Sequence, residues 1–220
     1  MKKQILILFA FLAVLTNLSA QEDIDSTQFL FNKFQDGSVY YKDGRVYNAR
    51  LNYHLRGNCF LFIDANDDNV IKEFGEVNQI SAVKVANKSF LLQNDGSAYE
   101  VIQFDPMIAV KYIGRFKKEG KNSGYGGRSE TGSIDAFSSI RNNGETHSLS
   151  TGKYILIGID NAYLIEKEGK RKSFRTEKQF LKLYPKHTDE LQKYIEEKKV
   201  KLNNVEQMAE LIRYANTLKP

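Results

Sequence analysis

The stretch Gly37-Ser38-Val39-Tyr40-Tyr41-Lys42-Asp43-Gly44-Arg45-Val46-Tyr47-Asn48-Ala49-Arg50-Leu51 decides the fold class of this chain. Two runs rich in β-branched and aromatic residues flank Asp43-Gly44. Asp-Gly between such runs is a strong hairpin signal, because the turn needs positive φ and glycine adopts it freely. The same chemistry recurs downstream. Residues 59–63 (Cys-Phe-Leu-Phe-Ile) form a short apolar strand, stopped by the polar run 64–69. Residues 70–74, 79–85 and 89–92 read as strands, Asn94-Asp95-Gly96 as a second tight turn, and 99–104 and 108–116 as the strands after it. Residues 153–159 and 162–166 are expected to form another hairpin about Asp160-Asn161. About nine or ten short strands, with turn signals roughly every 8–12 residues, describe an antiparallel sandwich, roll or barrel. The rhythm is not a strict repeat, which argues against a propeller or solenoid.

Beyond residue 172 the period changes to that of a helix. Thr176 and Gln179 make a capping box ahead of Phe180, Leu181 and Leu183, and Pro185 ends that helix. Thr188 is the expected cap of the next, with Asp189 and Glu190 in its first turn and Leu191, Tyr194 and Ile195 on one face. Asn204 and Gln207 open a third, striped by Met208, Leu211, Ile212, Ala215 and Leu218. Such faces are buried by default, so these helices are expected to pack on the β body. Between the strands, residues 117–151 break the rhythm with six glycines and many serines. This reads as an insertion, with a short helix or strand over Ile134, Phe137 and Ile140 and with Tyr125 as a candidate contact residue among glycines. The organisation is therefore α+β: a β-rich domain over 21–172 carrying the 117–151 insertion, and C-terminal helices over 173–220.

Residues 1–20 have the layout of a secretory signal peptide. Lys2 and Lys3 precede an apolar run over 5–15, and Leu18-Ser19-Ala20 leads to cleavage before Gln21. No second apolar stretch of ~18 residues follows, so the mature chain is expected to have no transmembrane helix and to reside in the periplasm, at the outer membrane or outside the cell. Cys59 is the only cysteine, so no internal disulfide forms. It is read as a small buried side chain on a strand, and it lies too far from the cleavage point to anchor a lipid. The +5 net charge falls to +3 without Lys2 and Lys3. Residues 21–166 hold 16 basic and 19 acidic side chains, whereas 167–220 hold 14 and 8, a local +6. The densest run includes Lys170, Arg171, Lys172 and Arg175, which are candidate binding residues for an anionic partner; the bland alternative, which a charge run more often turns out to be, is a solvated turn and helix face. No fold signature of a nucleic-acid reader accompanies the charge, so no nucleic-acid partner is expected.

Three stretches resemble uncharacterised secreted proteins of Bacteroidota: residues 37–44 running on to Leu51-Asn52-Tyr53, the glycine-rich surroundings of Tyr125-Gly126-Gly127, and the ending Phe180-Leu181-Lys182-Leu183-Tyr184-Pro185. The resemblance implies export and this architecture. It supplies no catalytic residue.

Reaction chemistry is not written locally. His54, His147 and His187 make no metal-binding spacing, and GxSxG and phosphate-loop motifs are absent. SxxK occurs at Ser81–Lys84 and Ser150–Lys153, in a strand and a loop, where the motif's mechanism needs a helix. Asp64, Asn66 and Asp68 alternate as oxygen ligands for calcium would, although Asn69 and Gly75 stand where an EF-hand wants Gly and Glu. A polar turn accounts for the segment too. Tyr41, Tyr47 and Tyr53 fit cross-strand packing. No cofactor is implied. The leading reading is an exported, non-catalytic cell-envelope protein that binds another macromolecule: a protein, a glycan or an anionic surface. The alternatives are a small-ligand or lipid carrier with a hollow β barrel, and a hydrolase whose site is assembled only in the fold. A large apolar cavity would mark the carrier, and a cleft with coupled carboxylates or a His–nucleophile pair the hydrolase.

Overall fold

A computed structural model describes residues 28–119, 140–142, 145–147 and 154–218. The expected signal peptide and Tyr125 lie outside these residues, as does most of the insertion. In chain order the strands are β1 (Gln35–Tyr41), β2 (Val46–His54), β3 (Cys59–Asp64), β4 (Val70–Glu73), β5 (Ile80–Val85), β6 (Lys88–Leu92), β7 (Ala98–Gln103), β8 (Ile108–Lys118), β9 (Ile140–Asn142), β10 (Glu145–His147), β11 (Tyr154–Lys167) and β12 (Lys170–Phe174). The helices are α1 (Glu177–Leu181), α2 (Thr188–Lys198) and α3 (Val205–Thr217). β9 and β10 pair only with each other. The other ten strands form one antiparallel sheet in the order β12-β11-β8-β7-β6-β5-β1-β2-β3-β4.

The turn chemistry explains the hairpins. Gly44 and Gly96 have φ of 90° and 81°, as the Asp-Gly turns require. Asp68 and Asn69 also sit in the left-handed region that Asx residues tolerate. Ala86-Asn87 makes a further tight turn at φ of 50° and 61°, with no glycine to announce it.

The sheet is rolled. β2 lies five strands from β8, about 24 Å away if the sheet were flat. Leu55, just past β2, nevertheless touches Gly114 of β8, where a Cβ would come within 3.1 Å of it. The Gln28 amide also donates to the Tyr154 carbonyl at 3.4 Å across the same gap. One register row runs through the concave face: Val39, Val83, Phe90, Glu100, Val110, Tyr163 and Phe174. At one end the roll closes on itself. Tyr53, Phe60 and Phe90 fill it, with ring centroids 5.1 Å apart in each successive pair. At the other end the helices cover the face. Phe180, Leu191, Met208, Leu211 and Ile212 pack on Ile108, Val110, Tyr163, Ile165 and Phe174. The helix layer is pinned by polar bonds: the Tyr163 hydroxyl donates to the Leu202 carbonyl at 2.7 Å, and Asn161 Nδ2 donates to the Asn203 carbonyl at 3.2 Å.

Both cap expectations from Asx and Thr hold at α1 and α3. Thr176 Oγ1 accepts from Gln179 N at 3.2 Å, and Asn204 Oδ1 accepts from Gln207 N at 3.0 Å. Several local expectations need correction. Asp160-Asn161 is not a turn. β11 runs straight through it, because Asn161 is buried and its polarity is spent on the α2–α3 connection. The hairpin comes at Glu168-Gly169, with φ of 52° and 66°. Thr188 is the first residue of α2 rather than its cap, and its hydroxyl donates back to the Pro185 carbonyl. Pro185 opens a 3₁₀ turn (Pro185–His187) after α1 has already ended at Leu181. Residues 28–34 are tied to the sheet: Phe29 is buried, and Leu30 N donates to the Tyr53 carbonyl at 2.9 Å. β12 ends at Phe174.

Candidate functional site

The basic run lies on an edge of the sheet. After the Glu168-Gly169 turn, β12 pairs back along β11 so that Lys167 faces Lys170, Glu166 faces Arg171 and Ile165 faces Lys172. Phe174 anchors the strand, stacked on Tyr163 with centroids 5.3 Å apart. Everything before it in the strand, Lys170 to Ser173, is exposed, as is Arg175. Among the described residues, β11 occupies one side of β12 and no strand of the sheet occupies the other. The four candidate cations Lys170, Arg171, Lys172 and Arg175 therefore gather along an edge whose outward backbone groups have no sheet partner among the described residues. Lys167 belongs to the structure instead. Its ammonium lies 3.7 Å from the Tyr184 ring centroid and donates to the Leu183 carbonyl. Charge on an edge strand resists edge-to-edge association between copies. The same charge admits a partner of opposite sign.

The calcium candidates are held differently. Asp64 Oδ2 accepts from the Lys72 ammonium at 2.8 Å, Asp67 Oδ2 lies 2.5 Å from that same nitrogen, and Asp64 Oδ1 accepts from Asn66 N at 3.0 Å. Lys72 holds the Asp64 carboxyl below its usual range, and the two carboxylates push the Lys72 pKa up to about 12. A lysine ammonium thus takes the carboxylate oxygens that a cation would need, and Asn66 contributes its backbone. Asp68 is exposed in the left-handed region. Among the described residues, no group of three or more His, Cys, Asp or Glu side chains could hold a metal ion.

His54 and Cys59 are register partners at the β2–β3 turn, and a Cβ on Gly57 would press on both, 2.8 Å from His54 Nδ1 and 3.1 Å from Cys59 Sγ. His54 Nε2 lies 3.4 Å from Gln28 Oε1. Burial, and secondarily Arg56, press the imidazole pKa down to about 4, so the ring is neutral at physiological pH. Cys59 is buried, as the sequence suggested. Ser81, of one SxxK match, donates its hydroxyl to the Tyr40 carbonyl at 2.8 Å. The other match lies outside the described residues. Tyr47 packs on Phe62 and Phe74, and Tyr53 on Phe60, so these tyrosines build the sheet.

Glu100 is the polar residue the sequence reading missed. It is only 5 % exposed, in the middle of the concave row. Lys88 Nζ donates to both carboxylate oxygens at 2.7 and 2.9 Å, and the Tyr112 hydroxyl donates at 2.5 Å. Burial and the Glu100 carboxylate both raise the Tyr112 pKa, so its proton stays. The signal was available: Ala98, Glu100 and Ile102 alternate inward, and a glutamate at inward parity demands a partner.

Two shallow depressions, of about 670 and 440 Å³, share Asp36 and Gly37. Among the described residues, Asp36 is the one carboxylate lining either, so these present no coupled carboxylate pair. The gap beneath the helices is about 20 Å³, room for a water at most. No family model, curated protein or solved structure matches the chain. Among the described residues, no helix is long and apolar enough to cross a membrane.

Proposed function

We propose that this is an exported, non-catalytic protein of the cell envelope that binds another macromolecule, and that the basic edge strand β12 is where the partner docks. One observation carries the reading: among the described residues, Lys170, Arg171 and Lys172 stand exposed on an edge whose outer backbone groups pair with no other strand of the sheet. An extended acidic segment fits such an edge, since main-chain bonds supply affinity and opposite charge supplies selection. The signal-like residues 1–20 and the resemblance to secreted Bacteroidota proteins support export. The aromatic filling of the roll weighs against the carrier, and the single carboxylate of the surface depressions weighs against a glycoside hydrolase.

The test is site-specific photo-crosslinking in the native host's envelope fraction, where a processed chain beginning at Gln21 is expected. A photoreactive side chain at Lys172 should give an adduct with an acidic segment of one partner. Reversing Lys170, Arg171 and Arg175 to glutamate should abolish it. Adducts arising equally from Lys193, on the exposed side of α2, or surviving the reversal, sink the assignment.

A further inference from the structure

The residues that precede β1 form a separate piece of structure. β1 pairs with β2 no further than Gln35–Leu51, while β2 runs on to His54. Residues 28–31 take the place of β1 beside that overhang. Leu30 N donates to the Tyr53 carbonyl and Leu55 N to the Gln28 carbonyl, each at 2.9 Å, with Phe29 and His54 as bridge partners between them. Asn52, only 1 % exposed, clamps the same segment: its Oδ1 accepts from Phe31 N at 3.1 Å, and its Nδ2 donates to the Phe31 carbonyl at 2.8 Å. Leu30 and Phe31 pack on the core of the roll, Phe31 edge-on to Phe90 with centroids 6.4 Å apart. β2 keeps β1 and β3 as partners along the rest of its length. A short segment at the margin of a sheet, held by a few bonds, can open without unfolding the sheet.

Two successive residues of this segment rest on His54. The Phe29 ring centroid lies 5.3 Å from that of the imidazole, and Gln28 Oε1 lies 3.4 Å from His54 Nε2. On the other side Gly57 closes on Nδ1, where a Cβ would come within 2.8 Å, and the Cys59 thiol faces the ring from β3 as its register partner. Arg56 is the charged group that acts on the ring, and it is a cation lying 3.8 Å from the Tyr154 ring centroid of β11. No carboxylate among the described residues acts on His54. A proton added to the ring therefore meets an aromatic ring, a neutral amide, a thiol and a like charge, and it gains water only when the segment lifts. We propose that residues 28–31 are an acid-released strap, closed on neutral His54 and freed by its protonation, which uncovers the β2 overhang and the aromatic margin of the roll. Histidine serves such a device because its charge changes within a few pH units of neutrality, and the strap supplies the two-state element that the charge biases. The proposal does not rest on β12.

The experiment follows amide hydrogen exchange of the full chain by NMR, in urea too dilute to unfold it. The N–H groups of Leu30, Phe31 and Leu55 should exchange through an opening that urea scarcely changes, whereas those of β8 and α3 exchange through one that urea promotes steeply. The ring titrates at its ordinary 6.5 once the strap is open and at about 4 while it is closed. Acid therefore favours the open state: the opening constant of the strap should rise roughly twentyfold from pH 7 to pH 5 and level off below about pH 4. In His54→Gln the same constant should change by less than about twofold, since no imidazole is left to charge. Where that variant does not fold, the parent decides: the rise must level off where the His54 ring itself titrates. Strap amides that share the urea slope of β8 overturn the strap as a separate unit. An opening indifferent to pH, an acid response retained in His54→Gln, or a rise that continues below the titration of the ring overturns the role of His54.

Discussion

The helix-covered end and the rolled end of this molecule use the same face of the same sheet, yet they are closed by different means. The roll is closed by strands from residues 39–98, most of them joined by tight hairpins, with aromatic rings as the filling. The other end is closed by α1, α2 and α3, of 5, 11 and 13 residues. Helices of such length are marginal alone in water, so they exist because they are docked. The difference teaches where each end is vulnerable: the helical end to a lesion in its contact face, the rolled end to anything that charges its interior.

The largest effect is expected at the helical end. Leu211 is 1 % exposed, on the stripe of α3 that meets the sheet. Leu211→Asp places an unpaired charge there and should destabilise the protein by about 4 kcal/mol, read from denaturant melts. Lys199→Asp should cost under about 1 kcal/mol. Lys199 is exposed, and its φ of 51° is one that aspartate tolerates. If both variants melt with the parent, the helices are not part of the core and the comparison fails.

The rolled end should respond to acid. His54 has its pKa lowered from 6.5 to about 4 by burial, so the folded state resists a proton that the unfolded chain accepts. The stability gained from keeping the ring neutral is complete above about pH 6.5 and is lost as pH falls through about 4, up to roughly 3 kcal/mol in all. His54→Gln should flatten the stability–pH curve between those limits relative to the parent. A curve of unchanged slope would show that the ring is not a determinant of closure.

How much of this was legible in the sequence follows the range of the interactions. Asp43-Gly44, Asn94-Asp95-Gly96, Thr176 with Gln179, and Asn204 with Gln207 act within a few residues, and each announced its turn or cap. Asn161 misled because its partners, Leu202 and Asn203, are about forty residues away; alone, Asp-Asn reads as a turn. Glu168-Gly169 was hidden inside a charged run that drew attention to its charge. Of the binding candidates, Lys170, Arg171, Lys172 and Arg175 were visible as a cluster, but only pairing shows that three of them lie on an edge strand. The exposure of Ile155 and Ile157 was invisible because it depends on one bulge in β11.

The smallest expected effect lies at the seam between the two ends. Glu100 is held by Lys88 and Tyr112, and Tyr112 packs against both cores. Lys88→Met keeps the aliphatic stem and removes the cation. Because the Lys88 side chain is 37 % exposed, water replaces part of what is lost. The cost should therefore be about 1–2 kcal/mol, less than the loss of a fully buried pair. Adding Glu100→Gln should recover most of it, since a neutral amide needs no counter-charge, and the four melts form a cycle that isolates the pair. Two aromatic groups report the ends separately: the Tyr53–Phe60–Phe90 cluster in the roll and the stacked Tyr194–Tyr214 pair, 4.6 Å apart, in the helices. If the seam couples them, both probes lose signal at one shared, lowered midpoint in Lys88→Met. Two separated midpoints would mean that the roll and the helix layer unfold independently, and that Glu100 serves only the roll.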